Sequence, residues 1–570
     1  MWLCVAVLVG CFFASQVQAI CQVRFDESTT GIGVHNTTFR KTAYCAYLGV
    51  RYGEPPVGKL RFRRSVMHQP SGHQNYTTVG SMCTQFRDTS NLSVVLGVED
   101  CLFANIYTPN VDVAAKKHSS KGHPVLVFVH GGSYQIGDGE RDINGVDLLV
   151  DHGILVITFN YRLNMLGFLK SDAYNISGNY GLKDQTTLLQ WVQRYIKHFG
   201  GDPEQVTLMG QSAGGGSVTH HLYIPQSKDL FQRLIALSGS LLAPWSFMFA
   251  YQLCSEQYMG DLNPHSKEHL QEMDVHDFFR TTNETYRYWF PFASMGTPYF
   301  IPVKEQHEIH HDSFTVPNPQ EAVLHAPVTR VPMLLSETGR EFEDLVNMVN
   351  LFFFYPNIPL NWTGDTSHAF VSAVNGYASA SVAEGHATSV EQVIQQIASY
   401  GNMKYPMRRL AKDLTRTMDS STHPIYYLRF EFDGRFGKSK NDFYRKILTN
   451  PEYGAMHGDE LGYIFTPDVI DKALAAPDEY REEWRIHNST VELIANFIKH
   501  GNPTPTYSEL VNITWTPLNE NNSSNTYLNI DRTFEVRQFE DDRYCQYWDK
   551  LYNCLYYNVC DGIFEADLHQ

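Results

Sequence analysis

The sequence has little positive charge. It contains 45 lysine and arginine residues against 61 aspartate and glutamate residues, which gives a formal net charge of −16. Because this charge repels nucleic acid and anionic membranes, we expect neither as a partner. Low-complexity segments, internal repeats and linker-like stretches are also lacking, and 43% of the 570 residues are hydrophobic. We therefore expect a single globular domain over residues 20–570.

Long hydrophobic runs are lacking beyond the first residues. The apolar run at 2–14 is too short to span a membrane. It is followed by Val17-Gln18-Ala19, a small-x-small cleavage site, so residues 1–19 are predicted to be a signal peptide. The end of the sequence carries neither a retention tetrapeptide nor an anchor tail. These features predict a secreted protein without a membrane span.

Glycosylation sites and cysteines agree with secretion. Eight cysteines remain after cleavage, an even number that suits disulfides in an oxidising compartment. Ten Asn-x-Ser/Thr sites predict N-linked glycans: Asn36, Asn75, Asn91, Asn175, Asn283, Asn361, Asn488, Asn512, Asn521 and Asn522. The oligomeric state is left open by these patterns.

The order of hydrophobic patterns predicts a parallel sheet. Continuous apolar runs at 124–129 and 154–159 are typical of strands covered on both faces. Apolar residues then recur at helical spacing over 182–199, and a strand at 205–209 follows a Gly-Gly-Asp-Pro break. Strand, helix and strand in this order indicate right-handed crossovers. The less regular region at 250–420 is interpreted as insertions that wall a pocket above the sheet.

A single G-x-S-x-G sequence, GQSAG at 210–214, follows the strand at 205–209. A serine on such a strand-to-helix turn has a strained backbone and an outward hydroxyl, and its flanking glycines avoid collisions. Ser212 is therefore a candidate nucleophile. A glycine-rich turn without chemistry is the alternative, so the motif needs partners.

Two further segments supply candidate partners. His130-Gly131-Gly132-Ser133 follows directly on a strand, and its N–H groups, with that of Ala213, could receive a developing oxyanion. The base is expected to be a histidine late in the chain. His457 lies in the glycine-flanked loop GAMHGDE at 454–460, which can hold an imidazole over a pocket.

Six ordered motifs now form a family pattern. They are RYGEPP at 51–56, EDCLFANIY at 99–107, NYR at 160–162, GNYGLKDQ at 178–185, the GQSAG turn and the His457-Gly458 loop. With these, the chain resembles the type-B carboxylesterases and cholinesterases from about residue 25 to 550. The resemblance implies an α/β-hydrolase fold: a large, mostly parallel sheet with helices on both faces and long insertions walling an active-site gorge.

The resemblance also implies particular pairings. Cys83 and Cys101 would close the family's first disulfide loop. Arg51 with Glu99, and Arg162 with Asp184, would be its two internal ion pairs, and these four charges would then be structural.

The acid of the family is usually a glutamate shortly after an apolar strand. Matching from the strand at 331–335 puts Glu341 in that place, 116 residues before His457. Glu337, Glu343 and Asp344 are nearby alternatives. The implied activity is hydrolysis of small-molecule carboxylic esters by a Ser212-His457-Glu341 triad, with an acyl-enzyme intermediate. The N–H groups of Gly131, Gly132, Ser133 and Ala213 would form the oxyanion hole, and neither metal nor cofactor is required.

Departures from the family bear on the substrate. Gln211 stands where cholinesterases usually have glutamate, and Ser133 replaces the third glycine of the oxyanion turn. The Cys83–Cys101 loop lacks the tryptophan that holds a quaternary ammonium in cholinesterases; it has Arg87, and Phe86 is its one aromatic residue. We therefore expect a preference for neutral esters, with a cholinesterase-like hydrolase as the alternative.

Parts of the sequence are also compatible with two other functions. His307-Glu308-Ile309-His310-His311 matches the H-E-x-x-H zinc-protease motif, but its polar surroundings favour a solvated segment. A non-catalytic adhesion protein of the same fold is the second alternative. It is disfavoured because all three triad residue types are present.

Overall fold

The structure, a computed structural model, describes most of the chain. The described residues are 21–88, 91–109, 122–140, 145–249, 251–289, 300–305, 314–341, 400–444, 454–519, 525–539, 543–557 and scattered residues at 379–393 and 559. The predicted signal peptide and the H-E-x-x-H sequence lie outside these ranges, as does much of the region at 250–420.

A mixed sheet is the centre of the fold. The strands of the described residues are β1 (Gln22–Arg24), β2 (Thr30–Ile32), β3 (Val34–Thr37), β4 (Ala43–Arg51), β5 (His73–Asn75), β6 (Gln85–Asp88), β7 (Asn91–Leu96), β8 (Phe103–Thr108), β9 (His123–Val129), β10 (Leu155–Phe159), β11 (Lys170–Ser171), β12 (Ile176–Ser177), β13 (Gly201–Gln211), β14 (Arg233–Leu237), β15 (Met333–Thr338), β16 (Ile425–Phe430), β17 (Thr526–Ile530) and β18 (Phe534–Gln538). Eleven of these strands form the central sheet, in the order β18-β17-β16-β15-β14-β13-β9-β10-β8-β4-β3. Neighbouring strands from β17 to β10 in this order are parallel, and β18, β8, β4 and β3 pair antiparallel at the two edges.

Helices connect these strands. Those of the described residues are α1 (Asp147–Asp151), α2 (Asn164–Phe168), α3 (Tyr180–Tyr195), α4 (Ala213–His221), α5 (Tyr251–Leu262), α6 (Lys267–Glu272), α7 (Val275–Trp289), α8 (Pro319–Ala322), α9 (Tyr405–Thr417), α10 (Ile470–Ala475), α11 (Arg481–His500) and α12 (Arg543–Tyr557). Within the described ranges, no helix has both the length and the apolar character needed to cross a membrane.

The two faces of the sheet contribute to two separate cores, because side chains alternate along each strand. On β9, Val125, Val127 and Val129 belong to one core, whereas Leu126 and Phe128 belong to the other. Apolar residues of α3 pack in the first core and those of α11 in the second. Helices therefore cover both faces, which is why the central strands have continuous apolar sequences.

The predicted elements are confirmed, with shifted bounds. The strand predicted at 205–209 covers Gly201–Gln211. The helix predicted over 182–199 covers Tyr180–Tyr195 and continues as a 3₁₀ turn at Ile196–Phe199. In the region expected to be irregular, α5, α6 and α7 are regular helices.

One of the two implied ion pairs is wrong. Arg162 and Asp184 pair as expected, with Nη2 and Oδ1 2.7 Å apart in the interior. Arg51, however, pairs with Asp100 at 2.6 Å, and Glu99 pairs with Arg61 at 2.6 Å. Glu99 and Asp100 are consecutive, and the Glu99 side chain is 13% exposed against 42% for Asp100. The inward carboxylate therefore meets Arg61, and the outward one meets Arg51.

The disulfide between Cys83 and Cys101 is confirmed, and Cys21 is joined to Cys45. The second bond ties the first described residues to β4, in the antiparallel part of the central sheet. Both bonds lie in the first 101 residues, so they fasten the N-terminal part of the fold.

Three buried histidines belong to the cores. His220 and His221, which follow the GQSAG turn on α4, are bonded to Ser246 O (2.9 Å) and Ser227 Oγ (2.7 Å), respectively. His487 on α11 packs among aromatic rings, with its ring centroid 5.7 Å from that of Trp484. Burial lowers the pKa of His220 to about 4 and the pKa values of His221 and His487 to about 3. All three are therefore neutral in the folded protein near pH 5.

Acid should destabilise the fold through these histidines. Below the ordinary histidine pKa of about 6.5, the unfolded chain binds protons that the folded protein does not, so stability falls as the pH falls towards the folded pKa. Between pH 7.5 and 5, we expect the free energy of unfolding of His487→Phe to fall by about 2 kcal/mol less than that of the wild type. Chemical denaturation at the two pH values measures it. The exposed His35→Gln is the control, and parallel losses in His487→Phe and wild type would contradict the prediction.

Candidate active site

Four neighbouring strands bring the predicted site residues to one edge of the sheet. The sheet order places β9, β13, β14 and β15 side by side, all parallel. Residues 130–133 follow β9, Ser212 follows β13, and Glu341 comes three residues after β15. Since carboxyl ends of parallel strands share one edge, residues far apart in sequence meet there.

Ser212 has the strained backbone that the motif predicts. Its φ and ψ are 57° and −124°, and its N–H donates to Leu237 O at 2.9 Å. A β-carbon at Gly210 would lie 2.3 Å from Gly214 O, and one at Gly214 would lie 2.0 Å from Val129 O. Both flanking positions therefore exclude any side chain, because strand and helix backbones approach each other at the turn.

His457 and Glu341 meet directly. His457 Nδ1 lies 2.7 Å from Glu341 Oε2, and both side chains are buried. The backbones also pair, since the N–H of His457 donates to Glu341 O at 3.1 Å. Neutral imidazole with its proton on Nδ1, facing the carboxylate, presents the lone pair of Nε2 as an acceptor. This arrangement can take a proton from a neighbouring hydroxyl.

The other carboxylate oxygen of Glu341 is held by two donors. The Ser238 hydroxyl and the Thr338 N–H each donate to Oε1 at 2.8 Å. The N–H of Glu341 donates in turn to Thr338 Oγ1 at 3.1 Å. The backbone of Glu341 has a positive φ of 40°. Both oxygens are thus engaged, which fixes the carboxylate in one orientation towards His457.

The alternative acids differ in their surroundings. Glu337 lies within β15, where Arg408 donates to Oε1 at 2.8 Å and the Tyr427 hydroxyl donates to Oε2 at 2.6 Å. Although burial raises the pKa of Glu337, Arg408 outweighs this and leaves the pKa below its usual value. Glu337 therefore belongs to a structural ion pair. Glu343 and Asp344 lie outside the described residues.

The turn after β9 lies beside Ser212. A β-carbon on Gly131 would be 3.0 Å from Ser212 Cβ. The φ angles of Gly132, Ser133 and Tyr134 are 106°, 57° and 61°, so three successive residues have positive φ. The backbone leaves the strand direction at once and forms a turn, in which the N–H of Gln135 donates to Gly132 O.

His130 anchors the start of this turn. Its ring is stacked on Tyr161 with centroids 4.4 Å apart, and the Tyr161 hydroxyl donates to His130 O at 2.9 Å. Ala213 is the first residue of α4, so its N–H lies at the helix N-terminus, where N–H groups have no partner within the helix. Gly131 thus lies against Ser212, Ala213 directly follows it, and Gly132 and Ser133 continue the turn after Gly131.

Sequence reasoning missed the contact made by Gln211. The Gln211 side chain is buried, and its Nε2 is 3.2 Å from His457 Nε2. The sequence showed only that a negative charge was replaced. Adjacency to Ser212 is a signal that could have suggested this contact, because the last strand residue must lie next to the elbow.

Two carboxyl groups just after His457 were also missed. Asp459 accepts from the N–H groups of Lys440 (2.7 Å) and Met456 (2.8 Å), which holds the His457 loop in place. Burial raises the pKa of Asp459 to about 6 and that of Glu460 well above its usual value; Glu341 raises the latter further. The sequence HGDE at 457–460 contains both residues, but it does not show that they are buried.

Comparisons with known proteins agree with this architecture. The sequence model of the carboxylesterase family matches residues 29–548. Juvenile hormone esterase of Heliothis virescens is 29% identical over 496 residues, 81% of this chain and 82% of that protein. Esterase E4 of Myzus persicae is 28% identical over 564 residues, which are 93% of this chain and 95% of that protein.

Solved structures with the same fold include two esterases. Juvenile hormone esterase from Manduca sexta has a TM-score of 0.78 and 25% identity, covering 94% of this chain and 100% of that one. A thermophilic PNB esterase, 22% identical, has a TM-score of 0.68, and the match covers 92% of this chain and 99% of that one. With its α/β-hydrolase fold and the family match over nearly its whole length, the chain belongs to the carboxylesterase family and is a carboxylic-ester hydrolase.

Proposed function

We propose that this protein is a secreted serine carboxylesterase that hydrolyses neutral carboxylic esters through Ser212, His457 and Glu341. The observation that carries the proposal is the buried 2.7 Å contact between His457 Nδ1 and Glu341 Oε2, at the sheet edge where Ser212 forms the elbow. The three residues come from separate chain segments. Their assignment to one site is supported by the Glu341–His457 contact and by the contact of His457 with Gln211, the residue before Ser212.

In the proposed mechanism, Ser212 Oγ attacks the ester carbonyl carbon while His457 Nε2 takes the hydroxyl proton. The resulting imidazolium is stabilised by the Glu341 carboxylate, which also keeps the other ring proton on Nδ1. The tetrahedral intermediate collapses to an acyl-enzyme as His457 returns its proton to the leaving alcohol. Water then attacks the acyl-enzyme by the same route and releases the acid. The Manduca sexta relative has OTFP covalently attached, which fits covalent chemistry in this family.

The oxyanion is proposed to bind the N–H groups of Gly131, Gly132, Ser133 and Ala213. The closeness of the Gly131 backbone to Ser212 and the position of Ala213 at a helix N-terminus support this assignment. Such preorganised donors are worth several kcal/mol in acyl transfer because they need no rearrangement as charge develops. The Ser133 hydroxyl is not required, since its backbone N–H is the same as that of glycine.

A preference for neutral esters is supported by the first disulfide loop. Phe86, its one aromatic residue, is buried with its ring 4.9 Å from that of Phe279, so it belongs to the core. Arg87 beside it is exposed and positive. Neither the buried Phe86 nor the uncharged Gln211 therefore offers a group that favours a quaternary ammonium.

Juvenile hormone is a second, more specific candidate substrate. Relatives from Heliothis virescens and Tribolium castaneum carry the name juvenile hormone esterase, as does the solved structure with a TM-score of 0.78. Esterases E4 and FE4 match over a larger part of the chain, however. We therefore include juvenile hormone in a substrate panel beside simple alkyl esters.

The proposed organisation of the chain is a signal peptide at 1–19 and one hydrolase domain at 20–570. Secretion is supported by the two disulfides described above. It is also supported by exposed glycosylation sequences at Asn75, Asn175 and Asn512, which a glycosyltransferase could reach. Deglycosylation of the protein recovered from the culture medium tests both points.

Ser212→Ala should abolish ester hydrolysis and labelling by a fluorophosphonate probe without unfolding the protein, because only the nucleophile is removed. Mass spectrometry of the labelled wild type should place the adduct on Ser212. Ser71→Ala, at an exposed position, is the matched control and should label normally. An adduct elsewhere, or full activity in Ser212→Ala, would contradict the mechanism; a wild type that does not label would favour the non-catalytic alternative.

Glu341→Gln should lower kcat roughly a thousandfold or more with little change in KM, because the imidazole loses control of its tautomer and the stabilisation of its charge. Steady-state kinetics on a butyl ester measure it. Glu337→Gln should instead lower thermal stability, since it weakens the pair with Arg408. A large fall in kcat for Glu337→Gln, with Glu341→Gln nearly normal, would show that another residue is the acid.

The substrate preference can be tested with two esters of one acid. We expect kcat/KM to be higher for the butyl ester than for the choline ester, because each missing cation-binding feature costs about 1–2 kcal/mol in a desolvated pocket. The net negative charge attracts the choline ester at long range, so the comparison is made in 0.15 M salt, which screens that attraction. A tenfold or greater preference for choline would restore the cholinesterase alternative.

A further inference from the structure

Gln211 is in contact with the imidazole that the proposed function assigns as the base. Its side-chain Nε2 lies 3.2 Å from His457 Nε2, on the opposite side of the ring from Glu341. Gln211 is 5% exposed and His457 is 7% exposed, so water screens this contact little. The amide therefore meets the ring nitrogen that must take the proton of Ser212.

The chemistry of the two groups sets the direction of this hydrogen bond. With the Nδ1 proton directed at Glu341, Nε2 of the neutral ring is an acceptor, and an amide N–H₂ can donate to it. When His457 is protonated, Nε2 becomes a donor and faces another donor. The observed orientation of the amide thus favours the neutral ring over the imidazolium.

The position of the Gln211 side chain is set by neighbouring backbone. A β-carbon on Gly131 would lie 3.0 Å from Gln211 Oε1, and one on Gly458 would lie 3.4 Å from Gln211 Nε2. The amide oxygen thus lies next to the oxyanion turn and the amide nitrogen next to the His457 loop. Gln211 therefore spans the two segments that flank the nucleophile.

We propose that Gln211 is a positioning residue that holds His457 in its neutral, proton-accepting form in the free enzyme. Its amide donates to Nε2 at rest and yields that lone pair to the Ser212 hydroxyl when the ester binds. A carboxylate at this position, as in the cholinesterases, would do the reverse and favour the imidazolium. This inference rests on the proposed function and extends it to the protonation state of the free enzyme.

The charged groups around His457 come from three segments. Glu341 lies against Nδ1. Asp459 and Glu460 follow on its own loop, and both have raised pKa values because they are buried. Lys440 packs against this loop, donating to Gly454 O at 3.1 Å. These groups are the same in wild type and in variants of residue 211, so a comparison between variants isolates the effect of Gln211.

The test compares wild type, Gln211→Met and Gln211→Glu. Methionine has similar length but donates no hydrogen bond, and glutamate adds a negative charge close to Nε2. We expect the apparent pKa of the acid limb of kcat/KM to rise in the order wild type, Gln211→Met, Gln211→Glu. From Gln211→Met to Gln211→Glu, this apparent pKa should rise by about one pH unit or more, because a negative charge at this distance stabilises the imidazolium. Gln257→Glu, at an exposed position on α5, adds the same charge far from the site and is the matched control.

A second measurement is independent of the choice of ester. The rate constant for fluorophosphonate labelling of Ser212 also requires neutral His457, so its pH profile should shift in the same order. A purely structural role for Gln211 would lower both rates without moving either acid limb. Acid limbs of wild type and Gln211→Met that coincide, or a lower one in Gln211→Met, would overturn the inference even if Gln211→Glu fails to fold.

The outcomes distinguish the two proposals. If the wild type is not labelled at all, the proposed function fails, and the inference about Gln211 fails with it. If the wild type is labelled on Ser212 but the acid limbs of all three proteins coincide, only the inference about Gln211 is wrong.

Discussion

At Ser212 the chain turns from the central strand β13 into α4 with a φ of 57°, and the rest of the site is arranged around this strained turn. The strain requires glycine at 210 and 214, where a β-carbon would collide with backbone. The surrounding sheet stabilises it, since β13 pairs with β9 and β14 along most of its length. A conformation that costs roughly 1–3 kcal/mol persists because a buried sheet holds both of its ends.

The same sheet explains why the other residues reach the serine. The Glu341 carboxylate accepts a hydrogen bond from the N–H of Thr338, the last residue of β15. The Glu341 backbone carbonyl accepts another from the N–H of His457, which joins Glu341 to the His457 loop. Asp459 ties that loop to Lys440. The imidazole is thus located by hydrogen bonds from several segments of the chain. Such support would keep the proposed base within the small distances that acyl transfer requires.

The sequence predicted the parts of this site that depend on local rules. The elbow at Ser212 follows from the steric demands of one turn, and the central strands follow from runs of apolar residues. The pairing of Arg51 was predicted wrongly, because sequence order does not show which of two adjacent carboxylates points inwards. The burial of Asp459 and Glu460 and the contact of Gln211 with His457 depend on how loops pack together. These are tertiary features: adjacency to Ser212 places Gln211 near the elbow, but its contact with His457 and the burial of the two carboxyl groups are decided by that packing.

The distribution of carboxyl groups explains why an amide suits position 211. Glu341 and Glu460 are both buried, and the pKa of Glu460 is raised by burial and by the Glu341 charge. Glu460 therefore remains protonated to a higher pH than an ordinary glutamate, which limits the negative charge there. A glutamate at 211 would add a further buried carboxylate on the other side of the same ring, at a large desolvation cost unless His457 were charged. With glutamine at 211, no second carboxylate has to be buried beside His457, and the Glu341 carboxylate is the acidic group in direct contact with the ring.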